Sequence, residues 1–306
     1  MRRIVITGMG IVSPLGNTPE LFFSNLMAGK SGVRRLQSDF TDRLDVKIAA
    51  QADFDPLQYF TKNKTSMLDR VSQFALYSAN QALADAQLDL AQLDKSRVGV
   101  YLGTGMAGSA SIEEGYVRLY RDNLDRLKPF TVLMAMNSAA SSQIALEHGL
   151  TGPNLTYCTA CSSSNIAIGE AYRQIRHGYA DVMLAGGSEA LLTYGTIRAW
   201  EALRTLAKED PSDAGASSKP FSLDRSGLVL GDGAAIVVLE ELESAQARGA
   251  KIYAELSGYG SCNDSGHITS PTVEGQAMSM RAALASSPLK PEDIGFSSNI
   301  FMVFGL

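Results

Sequence analysis

Short β-branched runs alternate along this chain with longer segments of helical periodicity, and a glycine-rich turn follows most of the short runs. Strands are predicted at residues 3–7, 46–52, 97–102, 155–158, 181–185 and 234–239. Several are apolar at successive positions, the pattern of a strand covered on both faces. Helices are predicted at 68–88, 134–147, 163–176, 241–248 and 274–285. The clearest is 68–88, where Val71, Phe74, Ala75, Ala79, Ala82, Leu83 and Ala86 recur at spacings of three and four and make one apolar face. Ser66 and Asp69 stand at capping-box spacing near its start. Alternating strands and helices bury their apolar faces in layers, so the fold class is α/β.

At roughly 150 residues per domain, 306 residues predict two domains or one large layered one. Such a chain buries about three quarters of its unfolded surface and needs no covalent staples. The net charge of −5, with 19% charged residues, excludes the concentrated basic stripe of a nucleic-acid-binding protein. Hydrophobic residues make up 45% of the chain, too many for a disordered one. Three cysteines form no disulfide framework, and an odd number fits a reducing compartment. Met1-Arg2-Arg3 before an apolar run resembles the start of a signal peptide, but Gly8, Gly10 and Ser13-Pro14 interrupt it, so a buried first strand is predicted. With no apolar run of about 18 residues, no membrane span is expected. Together these features predict a soluble, cytoplasmic protein. Residues 208–220 read as a surface loop. A faint echo links RIVITGMG (3–10) to IYAELSGYG (252–260), as the first strands of two duplicated halves would.

The stretch LTYCTACSSSN (155–165) carries the most chemistry. A strand ending near Cys158 and a helix beginning just after Cys161 place Cys161 on a tight turn between small residues. A thiol at a helix N-terminus meets unpaired N–H groups and the positive dipole end, which favour the thiolate. The same amides can donate to an oxyanion when the thiolate attacks a carbonyl, as in the nucleophile elbow of hydrolases. Two other readings stay open: a small buried thiol, or a redox or metal pair with Cys158. A metal site would need four ligands, and only Cys262 and three scattered histidines remain, so none is expected. The glycine turns lack the lysine of a phosphate loop, and Gly8-x-Gly10 lacks the third glycine of a dinucleotide site.

Seven motifs follow in order: RIVITGMGIVSPLGNT (3–18), GTG (103–105), TGP (151–153), TACSSS (159–164), ADVMLAGGSEA (180–190), KPFSLDRSGLVLGDGA (219–234) and TSP (269–271). In this combination the chain resembles the β-ketoacyl-acyl-carrier-protein synthases of fatty-acid and polyketide synthesis, from residue 3 to about 296. The resemblance implies a thiolase-like α-β-α-β-α fold of two duplicated halves, with residues 1–250 as the half carrying the nucleophile and 251–306 as the start of the second. It implies that Cys161 takes an acyl chain as a thioester, from a carrier protein that brings its own phosphopantetheine, so no resident cofactor is expected. Decarboxylative condensation with malonyl-carrier protein then follows. It also implies a homodimer, or a heterodimer with another ketosynthase in the manner of chain-length factors. Cys158 lies outside the motif's chemistry and is expected to pack.

In the family, an Asn-Ala-His-Gly-Thr segment bearing a catalytic histidine follows the position of 293–296. Here the chain reads SSNIFMVFGL (297–306), so the resemblance implies that full condensation needs parts not in this sequence. His148 and His177 each precede a glycine and read as residues of a helix's last turn. His267, in the loop 263–270, is a candidate to line the phosphopantetheine tunnel, against a plain surface role. Ile112 and Met134 match positions lining the acyl pocket or its dimer-side floor, with core packing as the alternative. Lys62, Lys64, Arg204 and Lys208 flank the tunnel mouth by resemblance and would meet an acidic carrier protein, against an ordinary solvated surface.

Overall fold

The computed structural model describes residues 1–267 and 269–295. Their elements run β1 (Ile4–Val12), α1 (Pro19–Met27), β2 (Arg34–Arg35), β3 (Ile48–Ala49), α2 (Lys62–Thr65), α3 (Arg70–Asp85), β4 (Val98–Gly103), α4 (Ser109–Tyr116), α5 (Thr131–Ala135) and α6 (Ala139–His148). They continue with β5 (Asn154–Tyr157), α7 (Ser163–Arg176), β6 (Val182–Glu189), α8 (Tyr194–Ala202), β7 (Gly233–Glu241), α9 (Leu242–Ala247), β8 (Ala254–Leu256) and α10 (Val273–Ala285). The segment 297–306, where the sequence leaves the family pattern, lies outside the described residues.

Six strands form one mixed sheet in the order β5-β4-β6-β7-β1-β8. β4 pairs in parallel with β5 and β6, while β7 runs antiparallel to both β6 and β1. All six residues of β4 are buried, as an uninterrupted apolar strand predicts for a sheet covered on both faces. On one face α3 and α6 bring Phe74, Leu76 and Ile144 against Val100 and Ile236. On the other, α7 brings Ala167, Ala171 and Ile175 against Tyr101, Met183 and Leu239. Full burial of a side chain such as Phe74 is worth about 1.5–3 kcal/mol, so the two apolar layers hold the sheet between them.

The first strand corrects the sequence reading. It was predicted to end at residue 7, yet β1 runs through Gly8 and Gly10 to Val12. A Cβ at Gly8 would lie 2.1 Å from the Ala82 oxygen, and one at Gly10 would lie 2.0 Å from the Ser78 oxygen. These glycines therefore do not end the strand; they let α3 lie directly on it. Of the strand predicted at 46–52, only Ile48–Ala49 forms, in a separate two-stranded ribbon with Arg34–Arg35. The helix predicted at 134–147 is two helices, parted where Met136 turns extended (ψ 141°). The cap of α3 is Asp69 alone, whose carboxylate accepts from the Val71 N–H, while Ser66 closes the preceding turn on the Asn63 carbonyl. The later member of the sequence echo, β8, adds to the edge of this same sheet antiparallel to β1.

Candidate active site

Cys161 sits three residues beyond the first residue after β5 and two before α7, on the parallel crossover from β5 to β6. The turn is tight enough to put Ala160 in the left-handed region at φ +51°, where an alanine is held only by its surroundings. The Ser163 hydroxyl holds it: Oγ accepts from the Thr159 N–H at 2.9 Å and donates to the Ala160 carbonyl at 2.6 Å. Ser162 Oγ donates to the Thr159 carbonyl at 2.8 Å. Bare backbone beneath lets the turn settle on the sheet. A Cβ at Gly103 would lie 2.2 Å from the Ser163 carbonyl carbon, and one at Gly187 would lie 1.9 Å from Ser164 Oγ. The outcome is an exposed thiol on a rigid, strained elbow.

Its electrostatics differ from the expectation of a dipole-stabilised thiolate. Desolvation by the surrounding turn pushes the Cys161 thiol up; its own backbone N–H opposes this, and the charge of Glu189 adds to it. The amides that a helix start would offer are partly spent, since Ser162 N–H donates to Thr159 O and Ser163 N–H to Ala160 O. Cys158, expected to pack, is instead exposed just past the strand, with Sγ 3.3 Å from the Gly105 oxygen.

The profile of the beta-ketoacyl synthase N-terminal domain matches residues 1–245. The chain belongs to the β-ketoacyl synthase family. Curated relatives agree: a 3-oxoacyl-[acyl-carrier-protein] synthase 2 of Staphylococcus aureus is 37% identical over 298 residues, 96% of this chain and 72% of the relative. The Synechocystis enzyme of the same name is 37% identical over 300 residues, covering 96% of this chain and 71% of the relative. Among solved structures, a type II polyketide ketosynthase in complex with its acyl-carrier protein and bound to a hexaketide superposes with a TM-score of 0.85 at 32% identity, over 95% of this chain and 71% of the other. The ishigamide ketosynthase/chain length factor superposes with a TM-score of 0.86 at 30% identity, over 96% and 72%. The thiolase-like fold of these ketosynthases is thus the fold of this chain.

In this β-ketoacyl synthase, the predicted site residues fall into separate groups. Met134 is buried and lines a cavity of about 430 Å³ between α2–α3 and α5–α6, together with Lys64, Met67, Leu68, Ser72 and Leu133. Ile112 is 40% exposed on α4 and is not among the residues lining that cavity. Lys62 is exposed beside it, whereas Lys64 is ion-paired with Glu147. Arg204 and Lys208 are exposed past the end of α8, Arg204 in left-handed backbone at φ +56°. His148 ends α6 against Gly149, its Nε2 2.9 Å from Asn80 Oδ1, and burial holds its imidazole below the ordinary pKa. At about 1.5 Å of rise per residue, His177 lies roughly 20 Å from Cys161 at the far end of α7. His267 is exposed, with Nδ1 accepting the Thr269 N–H at 3.1 Å. Among the described residues, no group of three or more His, Cys, Asp or Glu converges to hold a metal.

Sequence reasoning missed three carboxylates that fix the segment 104–113 beside the elbow. Glu189 Oε2 accepts from the Gly105 and Met106 N–H groups at 2.6 and 3.1 Å. Asp69 Oδ2 accepts from Ser111 N–H and its hydroxyl at 2.8 and 2.6 Å. Glu113 accepts from Tyr194 and Gly195 N–H at the start of α8, at 2.8 and 2.7 Å. The sequence signals were the AGGSEA motif, which carries Glu189, and the capping-box spacing, which marked Asp69 without its tie to Ser111.

Proposed function

We propose that Cys161 is the acyl acceptor of a 3-oxoacyl-[acyl-carrier-protein] synthase of fatty-acid or polyketide synthesis. The observation carrying this reading is the exposed thiol on the strained β5–α7 elbow, set in a family whose members include that enzyme. In the half-reaction, the Cys161 thiolate attacks the carbonyl of an acyl-phosphopantetheine thioester. The tetrahedral oxyanion collapses, the acyl–sulfur bond to the pantetheine breaks, and its thiolate takes up a proton. The complete enzyme then condenses the acyl group with malonyl-carrier protein, losing carbon dioxide. The phosphopantetheine arrives on the carrier protein, so no cofactor of the chain's own enters the reaction. Lys62, Arg204 and Lys208 face the acidic carrier, while Lys64 beside them is engaged by Glu147; Ile112, Met134 and His267 belong to the substrate path. The setting is the cytoplasm, consistent with free thiols and with the finding that no described helix is long and apolar enough to cross a membrane.

A second ketosynthase chain is the proposed subunit partner. β5 leaves one edge of the sheet open, with Leu155 half-exposed on it, and Tyr120, Val132 and Leu133 are exposed in the segment between α4 and α6. Likeness to the ketosynthase/chain length factor pair supports a second reading, a non-condensing subunit of a heterodimer. Intact-mass analysis after incubation with an acyl-carrier thioester separates the two. The enzyme reading expects one acyl adduct, retained in Cys158→Ala and lost in Cys161→Ala. Folded protein without an adduct, yet bound to a ketosynthase, would establish the partner-subunit reading instead.

A further inference from the structure

Gly169 stands in the middle of α7, the helix that leaves the Cys161 elbow, although glycine weakens a helix relative to alanine. Its bare backbone is a notch filled by one ring. A Cβ at Gly169 would lie 2.1 and 2.2 Å from Cδ2 and Cε2 of Tyr259. That ring is fixed from both sides. The Arg173 guanidinium, one turn further along α7, stands 4.8 Å from the ring centroid. Ser286, immediately after α10, accepts the Tyr259 N–H on Oγ at 2.8 Å, and the same Oγ is 2.9 Å from the Tyr259 carbonyl oxygen. Two further bonds fasten this part of the chain to α7. The Tyr172 hydroxyl donates to Ser257 O at 3.3 Å, and Arg176 Nη1 donates to Ser286 O at 3.0 Å. The Tyr259 hydroxyl itself is buried with no hydrogen-bond partner among the described residues, so the ring is the part the notch receives.

We propose that Tyr259 is a positioning residue for acyl transfer at Cys161, seated in the Gly169 notch so that the β8–α10 unit clamps α7 and sets where the elbow stands. The helix start rests on the sheet at Gly103 and Gly187, where no Cβ fits. Gly169 lies about 9 Å further along the axis, six residues on at 1.5 Å each. A helix seated at its start on the sheet and at its middle on a ring has its tilt fixed. Without the second seat it rocks about the first, and Cys161, two residues before α7, moves with it. A role limited to the neighbouring segment that carries His267 is separable from this one. That segment is tied by bonds that survive loss of the ring: Asp264 Oδ2 accepts from the Thr272 N–H and hydroxyl at 2.6 and 2.9 Å, and Ser286 holds the Tyr259 backbone.

This inference deepens the acyl-acceptor reading and rests on it for turnover, whereas alkylation reads the thiol without any acyl transfer. In the full chain, acylation by an acyl-pantetheine thioester would be followed by intact mass over a range of donor concentrations. Tyr259→Ala should lower the limiting rate about tenfold and leave the half-saturating donor concentration within about twofold. Tyr259→Phe, which keeps the ring, should match wild type in both. Gly169→Ala forces the ring out and should slow acylation as Tyr259→Ala does. Added to Tyr259→Ala, the same substitution should slow nothing further and should raise the urea midpoint, because only the helix preference of alanine is left. A change confined to the half-saturating concentration, independent effects of the two alanines, or a slow phenylalanine variant would overturn the proposal. If wild type takes no acyl group, the acyl-acceptor reading falls, and Cys161 carbamidomethylation by iodoacetamide decides the clamp. Its rate should rise about threefold in Tyr259→Ala as the loosened turn frees the thiol, and an unchanged rate there would refute the clamp. Should Tyr259→Ala fail to fold, Gly169→Ala against Tyr259→Phe answers by the same rate and concentration split.

Discussion

Gly103 shows how single atoms set the elbow. It ends β4 directly under the first turn of α7, and the atoms a Cβ would meet, Ser163 C and Ser164 N at 2.2 and 2.3 Å, are both backbone. No side-chain rotation relieves that clash, so the helix start must shift and carry the elbow with it. Overpacking of this kind costs about 1–3 kcal/mol. Gly103→Ala should therefore lower the urea midpoint by that free energy and slow acyl labelling of Cys161, both measurable on the same sample. Gly103 was readable as part of a GTG motif but not as a contact, because the crowding atoms lie about sixty residues on. Cys161 was legible from TACSSS itself, whereas the upward push on its thiol was not. That push comes first from desolvation by the folded turn and then from the charge of Glu189 on β6, which the sequence leaves far from the elbow.

At the scale of elements, two carboxylates govern how helices and strands are fastened. Asp69 caps α3 and at the same time holds α4 through Ser111, and it is buried. Removing a cap alone costs about 0.5–2 kcal/mol, and stranding the Ser111 N–H adds about 1–3 kcal/mol. Asp69→Ala is thus expected to destabilise by roughly 1.5–5 kcal/mol in urea titration, the sum of those two contributions. Asp181, just before β6, is held down to about 2 by hydrogen bonds from Arg97 and then Arg2. Its folded pKa lies below the ordinary 3.8, so its contribution is complete above that value and is lost as pH falls from about 3.8 through about 2. Because 44% of the side chain is exposed, screening limits the effect to about 1 kcal/mol or less. Asp181→Asn should flatten the stability–pH curve in that window, lowering stability near neutrality by about 1 kcal/mol or less and leaving it unchanged below the window, as denaturation followed by fluorescence would register. Element prediction succeeded where local and tertiary signals coincide. α7 runs Ser163–Arg176, the predicted span, because a strand, a small-residue turn and an amphipathic face all mark it. It failed where one signal hid another: apolar periodicity runs unbroken across the extended residue that separates α5 from α6, and glycines that read as strand breakers in β1 are contact points for α3.

For the molecule as a whole, alternation of strands and helices was enough to predict layers but not strand order. Inserting β7 antiparallel between β6 and β1 depends on long-range pairing, such as Gly10 with Ile236, that no local pattern carries. Whole-molecule charge poses a sharper problem. A chain of net charge −5 must receive an acidic carrier protein under the proposed function, so attraction has to be local and the bulk field opposes it. Lys62, Arg204 and Lys208 are exposed and hold no ion pair among the described residues, while Lys64 is already neutralised by Glu147. The burden of docking therefore falls on the first three, and Lys64 serves mainly to fasten α2 to α6. Charge reversal at Lys62 together with Arg204 should cut acyl transfer from carrier protein by tenfold or more, as about 1.4 kcal/mol per decade requires. Transfer from a small acyl-pantetheine thioester, which needs no protein docking, should change little. Raising salt should narrow the difference between wild type and variant, since exposed charges beyond about 8–10 Å are screened at physiological strength. Lys64→Gln should instead lower stability slightly and leave the carrier-to-pantetheine rate ratio as it was. An equal loss with both donors would place the two residues in the substrate path rather than on the docking surface.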